Sequence, residues 1–151
     1  MKRFILILAA PALLFTSSSF TDSRQNKSNE KIKWVSFTQA AELCKTKPKK
    51  IFIDVYTDWC GWCKVMDKNT FTNPVIIKYM NEKFYAVKLN AEMKDTVIFN
   101  GIPFVNPNAE GGRGSAHQLA VSLLQNKMSY PTSVFLDEEF KMNMVAPVPG
   151  Y

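Results

Sequence analysis

This chain is short of the ligands that a metal site needs. It has three cysteines and one histidine in 151 residues, and a structural zinc takes about four ligands. Cys60 and Cys63 stand close together, but Cys44 and His117 are far from them in sequence and bring no second paired spacing. Residue 64 is lysine rather than histidine, which excludes a haem-attachment motif. The seven methionines are irregularly spaced and form no copper-binding tract. No apolar stretch reaches the ~20 residues of a membrane-spanning helix. No stripe of lysine and arginine interleaved with aromatics appears, so the 19 basic against 13 acidic residues make no case for a nucleic-acid partner. No internal repeat is evident. The length predicts one domain, and a hydrophobic content of 46% supports an ordinary packed core.

The amino terminus has a different character. Lys2 and Arg3 precede an apolar run over residues 4–15, interrupted by Pro11 and followed by Thr16 and three serines. A basic start, an apolar centre of this length and small residues after it predict a secretory signal peptide over residues 1–19, with Ser17-x-Ser19 as the cleavage site. An uncleaved anchor is the alternative. Cleavage would remove Lys2 and Arg3 and lower the net charge from +6 to +4. No cysteine follows the run to take a lipid. Residues 20–30 are polar and aperiodic and read as a flexible tether, leaving residues 31–151 as the domain. The expected location is therefore periplasmic or secreted, with no stable membrane span in the mature chain. In an oxidising compartment cysteine pairs persist as disulfides unless something reduces them.

The informative motif is Trp59-Cys60-Gly61-Trp62-Cys63-Lys64, preceded by the apolar run at residues 51–56. It reads as a buried strand ending in a Cys-x-x-Cys pair, with a helix opening at the first cysteine. A helix N-terminus presents unpaired N–H groups and partial positive charge, which stabilise a thiolate. The thiolate, not the thiol, attacks disulfides. A second cysteine one turn later can displace the substrate and close a ring, so the pair can cycle between dithiol and disulfide.

Other elements follow from local signals. A short strand is expected at residues 32–35. A helix capped by Ser36 spans residues 36–45, with Phe37, Ala40, Ala41 and Cys44 on its apolar face; Cys44 is thus read as core packing. The lysine cluster at 45, 47, 49 and 50 reads as a solvated helix end and loop, with a docking patch as the alternative. Asp54 interrupts a strand that is otherwise apolar on both sides. The site helix runs over residues 60–69. Asn73-Pro74 opens a further helix through residue 81, and a strand follows at 84–89. Asn100-Gly101 between apolar triplets predicts a tight hairpin. Residues 106–114 form a loop, and Ser115 caps a helix bearing Leu119, Ala120, Leu123 and Leu124. Strands are expected at 132–136 and near 141–146. His117 is expected to be exposed and without a catalytic role.

Residues 34–151 resemble the thioredoxin-like superfamily, in particular exported members with a WCGWCK-type site. The supporting matches are Asp54 six residues before Cys60, Tyr130-Pro131-Thr132 ahead of an apolar strand, and the glycine turn at Gly150. The resemblance implies an α/β fold with a central mixed sheet and helices on both faces, and a cis-proline loop at Pro131. Residues 90–129, which hold the hairpin, loop and helix, exceed a minimal thioredoxin's connection and read as an insertion before that loop. The resemblance also implies a final helix after Gly150, which this sequence does not contain; the expected consequence is apolar exposure near residues 32–35 and 145–148.

On the same grounds Cys60 is the attacking thiolate, nearest solvent, and Cys63 the buried resolving thiol. Asp54 is the proton acceptor for Cys63, or alternatively a structural acid paired with Lys88. Trp59, Gly61, Trp62, Tyr130 and Pro131 line the substrate site. Trp62 stands where ordinary thioredoxins have proline, so no redox potential carries over. The implied activity is thiol–disulfide exchange without a cofactor, most simply reduction of exported disulfide-containing proteins, reset by a dithiol electron donor. An oxidant or isomerase, and a non-enzymatic scaffold binding a metal or partner, are the alternatives.

Overall fold

The computed structural model describes residues 30–142 and 146–150. Eleven elements occur there: β1 (Trp34–Val35), α1 (Phe37–Thr46), β2 (Lys50–Tyr56), α2 (Gly61–Asn69), α3 (Pro74–Lys83), β3 (Phe84–Asn90), β4 (Val97–Phe99), β5 (Ile102–Phe104), α4 (Gln118–Leu123), β6 (Thr132–Leu136) and β7 (Val148–Pro149). Five strands form one mixed sheet in the order β1-β3-β2-β6-β7. β2 lies at its centre, parallel to β3 and antiparallel to β6. The expectation of an α/β fold with a central mixed sheet holds.

Alternation along β2 sorts its side chains between two cores. Ile51, Ile53 and Val55 join Phe37, Ala40 and Cys44 of α1 and Leu119, Ala120 and Leu123 of α4. Phe52 joins Met66 of α2, Phe71, and Ile77 and Met80 of α3. Asp54 has the parity of Phe52 and so lies on the side that α2 covers. Helix starts follow local chemistry. Ser36 and Gln39 form a capping box on α1, and Asn73 caps α3 with Pro74 in its first turn.

Residues 91–131 carry the insertion. β4 and β5 pair as a separate two-stranded sheet about Asn100-Gly101. Both turn residues have positive φ, 50° and 76°, as a two-residue hairpin of matching twist requires. Phe99 packs edge-on against Phe37 with ring centroids 5.2 Å apart, which seats the hairpin on α1.

Four expectations are corrected. The helix expected from Ser115 starts at Gln118, because His117, not Ser115, supplies the cap; Ser115 instead meets Asn106. His117 is fully buried rather than exposed. The strand expected near 141–146 is not seen at its described positions 141, 142 and 146; after a turn closed by the Asp137 side chain accepting from the Glu139 and Lys141 N–H groups, the last described strand is β7 at Val148–Pro149. Part of the expected strand, residues 143–145, lies outside the described residues. Apolar exposure does not extend to residues 32–35, where Ile32 is only 6% exposed because α3 and Phe71 cover it; Val148 is exposed. The leader and most of the tether likewise lie outside the described residues.

Candidate active site

Cys60 occupies the N-cap of α2. Its backbone is extended, and its sulfur accepts from the Cys63 N–H at 3.0 Å. That position gives the sulfur both a hydrogen bond and the positive end of the helix. Cys60 and Cys63 are joined as a disulfide with Cα atoms 5.3 Å apart. Exposure does not separate the two, at 4% and 3%, contrary to the expectation that Cys60 is the more open. The tryptophans on either side shape this surface: Trp59 is partly exposed and Trp62 is 63% exposed. What distinguishes the sulfurs is the cap, which Cys60 occupies and Cys63 does not.

A charged chain lies on the face of the sheet that α2 covers. Asp54 is 1% exposed, and its Oδ2 accepts from Lys88 Nζ at 2.7 Å. Parallel pairing of β2 and β3 places these residues side by side. Lys88 also pairs with Asp67 of α2. Its ammonium is held against the rings of Tyr56, Trp34 and Phe71 at 5.0–5.3 Å. Burial pushes the Asp54 carboxyl above its ordinary pKa despite the Lys88 hydrogen bond and charge. Burial works against the Lys88 ammonium, but the two carboxylates outweigh it and raise its pKa. Asp54 Oδ1 has no hydrogen-bond partner among the described residues. A buried acceptor left unmade disfavours the folded state by ~1–3 kcal/mol.

The Tyr130–Pro131 bond is cis. Pro131 O accepts from the Gly150 N–H at 2.9 Å, which ties this loop to the start of the β6–β7 pair. Tyr130 meets Trp59 edge-on at 5.8 Å. Gly61, at the first turn of α2, has open space where a Cβ would stand.

Sequence reasoning did not single out Asp67, Glu92 or Arg113. Asp67 follows Cys63 by one helical turn, so the i,i+4 spacing was a usable signal. Glu92 accepts from Trp59 Nε1 at 3.0 and 2.9 Å, and Arg113 lies over the Trp59 ring at 4.1 Å; both contacts depend on how the insertion folds back. Cys44 is buried among α1 and sheet residues and its thiol approaches Lys49 O at 3.4 Å. Among the described residues no cluster of three or more His, Cys, Asp or Glu could hold a metal, and no helix is long and apolar enough to cross a membrane.

Comparison with known proteins bears on the family and the fold. Residues 12–102 match the family described as "Thioredox_DsbH: Protein of unknown function, DUF255". An uncharacterized protein of Caenorhabditis elegans is 36% identical over 46% of this chain and 10% of its own length. The thiol:disulfide interchange protein DsbD of Vibrio vulnificus is 26% identical over 87% of this chain and 19% of its own length. The chain thus spans a tenth to a fifth of these curated relatives. A solved structure described as a DsbH oxidoreductase shares the fold, with a TM-score of 0.53 at 19% identity over 79% of this chain and 73% of that one.

Proposed function

We propose, on the premise that the chain belongs to the thioredoxin-like DsbH (DUF255) family, that it is a thiol–disulfide oxidoreductase reducing disulfides of exported proteins. The observation that carries this reading is Cys60 at the cap of α2, paired with Cys63. In the reduced protein the Cys60 sulfur is a thiolate held by the Cys63 N–H and the helix end. It attacks a substrate disulfide, forming a mixed disulfide and expelling one substrate thiolate. Cys63 then loses its proton, attacks the Cys60 sulfur and releases the second substrate thiolate. Two electrons have passed from the dithiol to the substrate, and the Cys60–Cys63 disulfide remains. A dithiol protein donor restores it.

Asp54 takes the Cys63 proton. Its raised pKa suits that role, and its unpartnered Oδ1 is an acceptor in need of a proton. Lys88 holds the other oxygen and keeps the carboxylate oriented. Trp59, Gly61, Trp62, Tyr130 and Pro131 form the surface on which a substrate strand lies. Residues 1–19 direct export, residues 20–30 act as a tether, and the domain works in the periplasm or outside the cell.

The test is reduction of insulin by the protein in the presence of a dithiol reductant. Cys60→Ser should abolish it. Cys63→Ser should accumulate mixed disulfides that survive non-reducing electrophoresis. Equal turnover by both variants would overturn the assignment. A measured reduction potential separates a reductase from an oxidant, since a strongly oxidising value would reverse the direction.

A further inference from the structure

The insertion between β3 and β6 is fastened by polar contacts to the segment that follows β3, at the end of the sheet where β2 leads into Cys60. Asn106 is buried, and its Nδ2 donates to Met93 O and Ser115 Oγ, both at 3.3 Å. The His117 N–H donates to Ala91 O at 2.8 Å. These bonds pull the two ends of the 106–114 loop toward the segment that follows β3. There, Glu92 closes the connection. Its carboxylate accepts from Trp59 Nε1 and also from the Gly114 N–H at 2.5 Å. One side chain therefore ties the residue before Cys60 to the residue after Arg113.

Arg113 is placed by this tie. Its guanidinium lies 4.1 Å from the centroid of the Trp59 ring, and the residue is exposed. Trp59 in turn meets Tyr130, which precedes Pro131. Arg113, Trp59 and Tyr130 make a continuous surface from the insertion to the loop where a substrate strand would lie, beside Cys60. Charges nearby leave Arg113 available. Lys94 pairs with Glu110 at 3.0 Å, whereas Arg113 has no ion pair among the described residues. Glu92 has its oxygens engaged by the indole and the Gly114 amide.

We propose that Arg113 is a specificity-determining residue that favours disulfide substrates with an acidic side chain next to the reacting cysteine. The inference rests on the site being a thiol–disulfide exchange site. A guanidinium stacked on an aromatic ring keeps its planar donor fork free for a carboxylate, and the stacking restricts its motion beforehand. The substrate strand needs only to present its acid toward the insertion.

The test uses the reduced full chain and three disulfide-linked peptide dimers that differ only in the residue beside cysteine: glutamate, glutamine or lysine. The ratio of kcat/KM for the glutamate and lysine peptides is measured for wild type, Arg113→Gln and Arg113→Glu. Differences in intrinsic peptide reactivity cancel between variants. One partly exposed charge pair should change the ratio about threefold. The ratio should fall in Arg113→Gln and fall again in Arg113→Glu, and the effect should fade at high salt. A purely structural role for Arg113 would lower all three rates together. A ratio equal in the three proteins, or one that falls in Arg113→Gln but no further in Arg113→Glu, overturns the proposal. If wild type reduces none of the peptides while dithiothreitol reduces them all, the exchange reading fails and this inference with it.

Discussion

Two buried polar sites sit at opposite ends of the same problem. Asp54 and His117 are both sealed from solvent, and both are ionisable groups in an apolar setting. His117 is fully partnered: its Nδ1 accepts from the Leu119 N–H at 3.2 Å, which leaves Nε2–H to donate to Asp95 O at 3.0 Å. Asp54 has one oxygen on Lys88 and the other without a partner among the described residues. Burial pushes both groups toward their neutral forms, lowering the histidine and raising the acid. The satisfied site is architecture, capping α4 and anchoring the insertion. The unsatisfied one keeps a free acceptor, which the proposed function uses for the Cys63 proton. Thr57 Oγ1 is also buried without a partner among the described residues, so an unmet hydrogen bond alone does not make a group chemical.

Substitution at each site should separate rate from stability. In Asp54→Asn, resolution of the mixed disulfide should slow ~100-fold near neutral pH, the usual worth of a positioned general base. The initial attack by Cys60 should change much less. Rapid quenching and quantification of the mixed disulfide would read both steps, and an unchanged resolution rate would leave Asp54 structural only. In His117→Ala the effect should fall on folding: a loss of about 3 kcal/mol from the cap, the Asp95 contact and the cavity. Exchange per folded molecule should be retained. Urea unfolding beside an activity assay distinguishes these, and a rate loss without destabilisation would break the contrast.

Asn106→Ala should have a smaller effect of the same kind, about 1 kcal/mol, because Met93 O and Ser115 Oγ lose a donor that water can partly replace at the loop edge. Trp59 fluorescence should report the loosened insertion. The smallest effects concern pH, and they have opposite signs. Asp54 has a raised pKa in the fold, so above the ordinary carboxylate value the folded state holds more protons than the unfolded. Stability then falls as pH rises toward the raised value. His117 has a lowered pKa, so below the ordinary histidine value the unfolded state holds more protons. Stability there falls as pH falls toward the lowered value. Asp54→Asn should remove the first slope and His117→Asn the second in pH-dependent unfolding midpoints. Either slope persisting in its variant would assign it to another group.

Much of the fold was legible because its signals are local. Ser36 with Gln39, Asn73 with Pro74, Asn100 with Gly101, and Cys60 at the opening of α2 each act within four residues of themselves. Periodicity located α1 and β2 for the same reason. His117 was misread because its burial comes from Asp95 and Ala91, more than twenty residues away. Ser115 was misread because Asn106, across the loop, takes its hydroxyl.

Composition and spacing alone pointed to thiol–disulfide chemistry: a close cysteine pair, too few other ligands for zinc, and a strand-to-helix junction that favours a thiolate. Tertiary structure decided which partners the charged groups find. Asp67 joins Lys88 only because α2 and β3 share one core, and Glu92 meets Trp59 and Gly114 only because the insertion folds back over the end of the sheet. Helix caps and tight turns depend on neighbours in the chain, whose separation the covalent backbone sets. Contacts between carboxylates, ammonium groups and rings tens of residues apart depend on how whole elements pack, and no residue spacing encodes that distance.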